Sequence, residues 1–589
     1  MANRFQINLD DLSVFVPPDA IYPGLPADES ALIELLSGLS RDDTLLICAR
    51  LNTIVSGFGM LDDGQRQQKA CALICNREQQ QRLDTFAGQH GGLDRVVVFF
   101  RGQLLEVMRR AAQHCQNLPG DGETFNDEQV RDRFFRSVLI AGALWSARTF
   151  GNRLSLQDGL DTAWLRALGA FRKGVEDSSQ ALHTAIALGR GWLLFSDYLP
   201  RKMPDFANHF EASTGLTVEQ YLICVGALTT YTLAERAEGP LFRTADVAAA
   251  TGFKDVFPTY LALESLTPEE FAKAAPDLPR NGFRALRERP VLSTPGGLSV
   301  VLDPAIYGET LTIGPLFHLV AQDKNRANEL FGYFGLAFEH YAIDVLRQMY
   351  PTGSGLLAQR LTNNIPGRDG AGADFEIDAA LNDATEIVVF EMKAAWLRED
   401  SLLDATGADF VQQLRRKYGV SPVESGAGGR PKGTAQLAKI IGAIARKEWI
   451  GVSSEFAEAA KIYPVLVVHD ERLGVPGSGK FLDNEFKSLL GMVPSGVVVA
   501  PLTIMTIGDL ENLETSVTGF GLRDLLCDYT RECPDRMRSL HQFMATSSYA
   551  TKLRASKRVL EASENLMRRM RDGLFPKGTA VEATGSSNP

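Results

Sequence analysis

The spacing of apolar residues predicts a first half built mainly from helices. Leucines at positions 32, 35, 36 and 39 recur at the three- and four-residue intervals of a helix face. The same spacing continues through residues 128–236. We therefore predict a mainly helical region over residues 1–285, which would serve recognition or partner binding.

The second half mixes strand and helix patterns. Two short apolar runs on either side of Gly296-Gly297 predict a β-hairpin, which would form a bridge over residues 286–328. Residues 329–519 alternate between strand-like and helical patterns, and 520–577 read as helical with 12 Lys or Arg against 7 Asp or Glu. The small, polar residues 578–589 predict a disordered tail. The expected fold class is therefore multidomain, α plus α/β: a helical region, an α/β core with a mixed central sheet flanked by helices, and a basic helical C-terminus.

One stretch of the core concentrates charged residues at the ends of strands. The apolar-patterned runs Phe375–Leu381 and Ile387–Lys393 flank an Asn382-Asp383 turn, which is the pattern of a β-hairpin. Alternation along the second strand places Glu391 and Lys393 on one face. Asp374 opens the first strand, so we expect its carboxylate to lie beside that of Glu391.

Two carboxylates and an ammonium at one end of a sheet have a chemical use. Mg²⁺ prefers oxygen ligands, and proteins commonly offer it one or two carboxylates together with water and substrate phosphate. The carbonyl of Met392, between Glu391 and Lys393, is a natural further ligand. The ammonium of Lys393 would hold or help activate the attacking water.

This stretch resembles the core of the PD-(D/E)XK (restriction-endonuclease-like) nuclease superfamily. Asp374 matches the aspartate of the family, although Ala373 stands where the family pattern has proline, and Glu391-Met392-Lys393 matches its Glu-x-Lys. The resemblance implies a nuclease that hydrolyses phosphodiester bonds with Mg²⁺ or Mn²⁺.

The resemblance extends over residues 330–510. Gly335–Tyr341 looks like the first core helix of the family, whose glutamate often completes the metal site, and Glu339 matches that glutamate. Residues 432–437 look like the helix that carries a glutamine near the site, here Gln436, and Tyr463–Val468 resembles a following core strand. The implied catalytic residues are Asp374, Glu391, Lys393, Glu339 and Gln436, and the implied metal ligands are Asp374, Glu391, Met392 and Glu339.

Two alternatives stay open within this interpretation. Asp378 lies four residues after Asp374 on the same expected strand face, so it competes with Asp374 as the first-strand ligand. The fold could also serve as a catalytically weak or inactive subunit that binds nucleic acid or assists assembly.

Basic residues surround a loop before the glutamine helix. Arg415-Arg416-Lys417 precede a Gly-, Ser- and Pro-rich stretch that ends with Arg430 and Lys432. Glycines allow the backbone to approach a phosphate chain, and the basic side chains would neutralise the phosphates. The competing interpretation is a surface loop with solubilising charges.

Whole-chain properties limit the expected partners and location. The net charge of −11 argues against tight, non-specific coating of DNA, but it permits a local basic groove. The seven scattered cysteines and the absence of an apolar leader or membrane span favour a soluble cytoplasmic protein without membrane contact. We expect nucleic acid as the partner, with DNA favoured over RNA, and the helical region as the surface for a protein partner or a second copy. By analogy of fold alone, a nuclease core joined to a large helical region is typical of prokaryotic restriction or anti-phage defence effectors.

Overall fold

The computed structural model describes most of the chain. The described residues are 14–56, 63–118, 124–151, 183–233, 241–250, 252–277, 284–351, 360–368, 374–383, 385–397, 408–419, 432–448, 458–474, 476–516 and 520–574. They are mostly helical and include a mixed sheet, which is compatible with a multidomain α plus α/β protein. No helix within these ranges combines the length and the apolar character needed to cross a bilayer. The predicted tail 578–589 lies outside the described residues.

The first part of the chain is mainly helical, and its core is shared with residues between 266 and 306. Its elements are β1 (Val14–Phe15), α1 (Pro18–Ile21), α2 (Glu29–Leu36), α3 (Arg41–Val55), α4 (Asp63–Ile74), α5 (Arg77–Gln89), β2 (Val96–Val97), α6 (Arg101–His114) and α7 (Glu128–Gly151). Helix α3 is buried through most of its length, and its N-cap Ser40 accepts the backbone N–H of Asp43. The leucine stripe lies in this core, since Leu32, Leu36 and Leu39 are fully buried.

The middle of the chain adds helices and a small sheet. Its elements are α8 (His183–Leu193), α9 (Leu199–Lys202), α10 (Phe206–Thr214), α11 (Val218–Leu233), β3 (Phe242–Arg243), α12 (Thr244–Ala250), α13 (Val256–Glu264), β4 (Ser265–Leu266), α14 (Pro268–Ala274), α15 (Arg284–Glu288), β5 (Val291–Ser293) and β6 (Leu298–Val301). Strands β5 and β6 form the predicted antiparallel hairpin. They join β3 and β4 in a four-stranded sheet of order β3-β6-β5-β4, so the hairpin is hydrogen-bonded into the helical half.

The larger sheet lies in the second half of the chain. Its elements and their neighbours are α16 (Pro304–Gln322), α17 (Ala327–Met349), β7 (Arg360–Arg368), β8 (Asp374–Asp383), β9 (Glu386–Lys393), α18 (Ala408–Tyr418), α19 (Thr434–Ala445), β10 (Lys461–Val468), α20 (Ser478–Leu490), β11 (Val498–Val499), β12 (Thr503–Thr506), α21 (Ile507–Glu514), α22 (Leu522–Glu532), α23 (Leu540–Thr546) and α24 (Lys557–Leu574).

Strand β9 lies at the centre of this mixed sheet. It pairs antiparallel with β8 on one side and parallel with β10 on the other, and the order is β11-β10-β9-β8-β7, with β12 also paired to β10. The predicted hairpin is therefore present, but its strands pair as far as Asp383 and Glu386. The turn thus falls after Asp383, and the prediction of a turn at Asn382-Asp383 was wrong, because polar residues can extend a strand end.

Both faces of β9 are covered. Val388, Phe390 and Met392 belong to a core that includes α17 and the middle and C-terminal helices. Ile387 and Val389 belong to a second core with α18, α19 and α20. Because each face packs against helices, this strand is apolar on both sides from Ile387 to Phe390.

A buried ion network ties the helical half to the sheet half. Two guanidinium nitrogens of Arg190 in α8 each donate to one carboxylate oxygen of Glu511 in α21, both at 2.8 Å. A third nitrogen lies 2.8 Å from Glu471, and Tyr341 of α17 donates to Glu511 at 2.6 Å. The side chains of Arg190 and Glu511 are 6% and 1% exposed, so solvent screens this pair very little.

We predict that Arg190→Ala destabilises the protein by about 3–5 kcal/mol, because it leaves the buried carboxylate of Glu511 without its counter-charge. The measurement is chemical denaturation followed by circular dichroism. Arg531→Ala is the matched control, since Arg531 forms a surface pair and is 66% exposed; its loss should cost about 0.5 kcal/mol or less. Equal costs for the two variants would contradict the prediction.

Candidate functional site

Four charged side chains come together where β8, β9 and α17 meet. They are Asp378 in β8, Glu391 and Lys393 in β9, and Glu339 in α17. Every pair among these four groups interacts electrostatically. The cluster lies at the carboxyl end of β9, which is where the apolar pattern of that strand stops.

Glu391 is the deepest member of the cluster. Its side chain is fully buried, and its Oε2 accepts no hydrogen bond. Its Oε1 contacts the ammonium of Lys393 in an ion pair. Burial raises the pKa of Glu391 to about 8, with a further contribution from Asp378 and an opposing one from Lys393. A carboxylate buried in this way is costly to the fold, which is typical of groups kept for function.

The surrounding carboxylates stabilise the charged form of Lys393. Burial by itself would lower the pKa of this lysine, but Glu391, Asp378 and Glu339 together raise it above the ordinary value. The ammonium is therefore positively charged at neutral pH and remains 26% exposed. It places a fixed cation at the accessible end of the cluster.

Asp378 is held in place by an irregularity in β8. The ladder between β8 and β9 ends at Ala379 opposite Phe390, and just beyond it the Oδ2 of Asp378 accepts the backbone N–H of Met392 at 2.6 Å. On the other side of β8, the pairing with β7 omits Asp378, opposite Asn364 with its φ of 50°. Burial raises the pKa of Asp378, and Lys393 opposes that effect.

The structure places Asp374 outside this cluster. Its side chain is 77% exposed, and its Oδ1 accepts from Arg368 at 2.6 Å. Asp374 lies four residues before Asp378 in the same strand, which corresponds to about 13 Å. The open alternative, Asp378, therefore occupies the position beside Glu391 that was predicted for Asp374.

Glu339 reaches the cluster from the helix on one face of the sheet. Phe338 and Tyr341 are buried against that face, and Glu339 between them is only half-buried. Burial raises the pKa of Glu339 to about 7, and the negative charges of Asp378 and Glu376 add to the shift. The helix predicted around Glu339 is present as part of α17.

The donor atoms of this cluster suit a hard cation. Glu391 and Asp378 offer carboxylate oxygens, and the buried Oε2 of Glu391 has no hydrogen-bond donor, so a metal ion could take that place. Among the described residues, no group of three or more His, Cys, Asp or Glu side chains is arranged to hold a metal ion. The site thus fits an ion that takes two carboxylates and fills its remaining positions with carbonyl or water oxygens. Met392, the predicted carbonyl ligand, has its side chain in the core on the opposite face.

The remaining predicted residues lie around the second core. Gln436 is half-buried in the first turn of α19, which packs on the same core as Ile387 and Val389. Arg415 donates to Glu485 at 2.7 Å, whereas Arg416 and Lys432 are exposed. Lys417 lines a cavity beside α16. Arg430 lies outside the described residues.

His469 is a residue of this region that the sequence pattern did not single out. It follows β10 directly, and its backbone N–H donates to the carbonyl of Lys393 at 3.1 Å. Its ring lies 5.2 Å from that of Trp396 and 5.3 Å from that of Phe334, and neither ring nitrogen has a hydrogen-bond partner. Burial lowers its pKa to about 3, so the imidazole is neutral. The signal in the sequence that could have pointed to this residue is its position directly after the apolar run of β10.

No protein-family model, curated protein or solved structure matches this chain. The site is therefore interpreted from its geometry and chemistry.

We predict that Glu391→Gln leaves the fold intact and makes it between 0 and about 2 kcal/mol more stable in metal-free buffer. The reason is that replacing a fully buried carboxylate removes a desolvation cost, while Asp378 and Glu339 still balance Lys393. Thermal and urea unfolding in the presence of a chelator would measure the change. Asp374→Asn is the surface control and should change stability by less than about 0.5 kcal/mol. A loss of more than 2 kcal/mol in Glu391→Gln would mean that this carboxylate is structural.

Proposed function

We propose that this chain is a Mg²⁺- or Mn²⁺-dependent nuclease with a PD-(D/E)XK-type site, which hydrolyses phosphodiester bonds of nucleic acid. The observation that supports this best is the fully buried carboxylate of Glu391, whose Oε2 has no hydrogen-bond partner and whose Oε1 contacts Lys393, with Asp378 close enough to act on it electrostatically. A buried acid that pairs with a lysine two residues away adds little to the stability of the fold. Its carboxylate is suited to binding a metal cation instead.

The roles follow from position and charge. Asp378 and Glu391 would hold the cation, which when bound acidifies a water molecule and neutralises charge on the phosphate. Lys393 keeps a positive charge beside the carboxylates and would contact a phosphate oxygen or the attacking water. Glu339 approaches from the helix side and would orient that water. Asp374 no longer has a role in this proposal, because Arg368 binds it outside the cluster.

The substrate is proposed on weaker grounds than the reaction. Arg416 and Lys432 are exposed near the ends of α18 and α19 and would contact backbone phosphates. We favour DNA over RNA, and a cytoplasmic restriction or anti-phage defence role, by analogy of fold alone. The helical half would recognise the substrate, a protein partner or a second copy.

A second function is a nuclease-like subunit that binds nucleic acid without cutting it. The observation in its favour is that the described side chains contain no ready-made group of three metal ligands. Glu391 and Lys393 would then stay paired, and no metal ion would bind between them.

Cleavage assays on site variants test the first proposal. We predict that pure protein cuts plasmid or linear DNA with Mg²⁺ or Mn²⁺, and that Asp378→Asn, Glu391→Gln and Lys393→Met each reduce the rate at least about 100-fold. Asp374→Asn should cut like the parent protein. If Asp374→Asn alone were inactive, the assignment of the β8 ligand would be wrong. Metal-dependent cutting that no variant changes would rule out this site.

Metal binding should distinguish the role of the two carboxylates from that of the lysine. We predict that Mn²⁺ binds the parent protein and Lys393→Met, because the lysine offers no ligand to the ion, whereas Asp378→Asn and Glu391→Gln lose the binding. Calorimetry on folded protein without substrate gives the answer. Absence of Mn²⁺ uptake by the parent protein would favour the second, non-cutting function.

A further inference from the structure

A cavity of about 700 Å³ lies where the helical half meets the larger sheet. One wall is the inner side of α16, and another is Ala394–Leu397, the segment that leaves the carboxyl end of β9. Arg472, four residues after the end of β10, also lines it. The region outside the carboxyl ends of parallel strands is where open α/β sheets commonly bind ligands. The volume is within the range of small-molecule sites.

Aromatic rings form the apolar wall of this cavity. Trp396 lies 6.0 Å from Phe317 and 5.9 Å from Phe331, measured between ring centroids, and all three residues line the space. Phe317 is 38% exposed, so part of its ring is open to solvent. A planar ring placed against these residues would cover apolar surface that water now reaches.

A buried acid lines the cavity as well. Glu264 is 1% exposed, and its Oε1 accepts the hydroxyl of Tyr221 at 2.8 Å and lies 2.6 Å from the Nε2 of His318. Tyr221 and His318 fix the position of this carboxyl group. A carboxylate offers acceptors only, so it selects a ligand that presents N–H donors.

Positive charge lies at the opening. Lys324 is exposed on the turn between α16 and α17, and Lys417 at the end of α18 borders the same space. Arg472 and Arg287 line the cavity too, but Asp470 and Glu309 balance their charges. The exposed ammonium of Lys324 therefore favours an anionic group on the ligand at this opening.

We propose that this cavity binds a nucleoside phosphate. The base packs against Trp396, Phe317 and Phe331, its N–H groups face Glu264, and its phosphate lies at Lys324. Guanine suits the acid best, because it carries two adjacent N–H donors on one edge. Thymine, with a single such donor between two carbonyl acceptors, suits it least.

The nucleotide could come from solution or from a nucleic acid strand. Trp396 follows Lys393 by three residues, or about 10 Å of extended chain. Phe331 precedes Glu339 by eight residues of helix, or about 12 Å. An unpaired nucleotide one or two positions from the cut phosphate would span such a distance. This second source rests on the proposed nuclease function, whereas binding of a free nucleotide does not.

Calorimetric titration of full-length protein in EDTA tests the proposal without any cleavage. The probes are dGMP, dAMP, TMP and 2-deoxyribose 5-phosphate, and the blocking variant is Ala321→Trp, which adds bulk at an exposed position of the lining. Gln322→Trp, at the next residue and also exposed, is the matched control. We expect saturable binding of dGMP that Gln322→Trp retains and Ala321→Trp weakens at least tenfold. The sugar phosphate should not bind, and TMP should bind more weakly than dGMP.

Two further measurements identify the contacts and the source. Lys324→Ala should weaken dGMP several-fold and leave deoxyguanosine unchanged. A 12-nucleotide single strand that displaces dGMP would identify the strand as the source, and failure to displace it would identify a free nucleotide. Absence of saturable dGMP binding, or equal affinity in Ala321→Trp, would overturn the proposal. Glu391→Gln should still bind dGMP, so failure of the nuclease proposal is distinguishable from failure of this one.

Discussion

The enclosure of β9 is the constraint on which the rest of this structure depends. The strand has neighbours on both edges and helices on both faces, so charged side chains occur only towards its two ends. Glu391, the third residue from the end of β9, is fully buried. Because its charge is expensive in such surroundings, the fold arranges Lys393 beside it. Asp378 and Glu339 then approach the same lysine from a neighbouring strand and from α17.

The helical half is connected to this cluster by buried contacts. Arg190 joins α8 to α21 and α17 through Glu511 and Tyr341, which are all buried. Closer to the cluster, Lys202 of α9 lies 2.8 Å from the Nε2 of His340, the residue next to Glu339. The positive charge of Lys202 also opposes the rise in the pKa of Glu339. Movement of the helical half would therefore change the electrostatics of the site, a route by which substrate or partner binding could control it.

The chemistry of the site argues for a cation more strongly than for any particular substrate. Two carboxylates, one lysine and a nearby glutamate suit phosphodiester hydrolysis with a hard metal ion. In the proposed reaction, the substrate would be selected by surfaces farther away, namely the exposed Arg416 and Lys432 and the cavity beside Trp396. A fold of this kind supports many functions, so these surfaces have to identify the substrate.

The sequence by itself determined the local elements and half of the cluster. Strand alternation is a local property, so the spacing of Glu391 and Lys393 was enough to place them on one face, and helical spacing was enough to place Glu339 on α17. It could not decide between Asp374 and Asp378. The alternation of side chains between the two faces of β8 is interrupted at Asp378. Its neighbours Ile377 and Ala379 would share a face in a regular strand, but they pack in cores on opposite faces, and the ladder with β9 ends at Ala379. Only the tertiary structure decided which aspartate meets Glu391, where the neutral His469 lies, and which helices enclose the cavity. Those contacts join residues far apart in the chain, and no spacing rule specifies them.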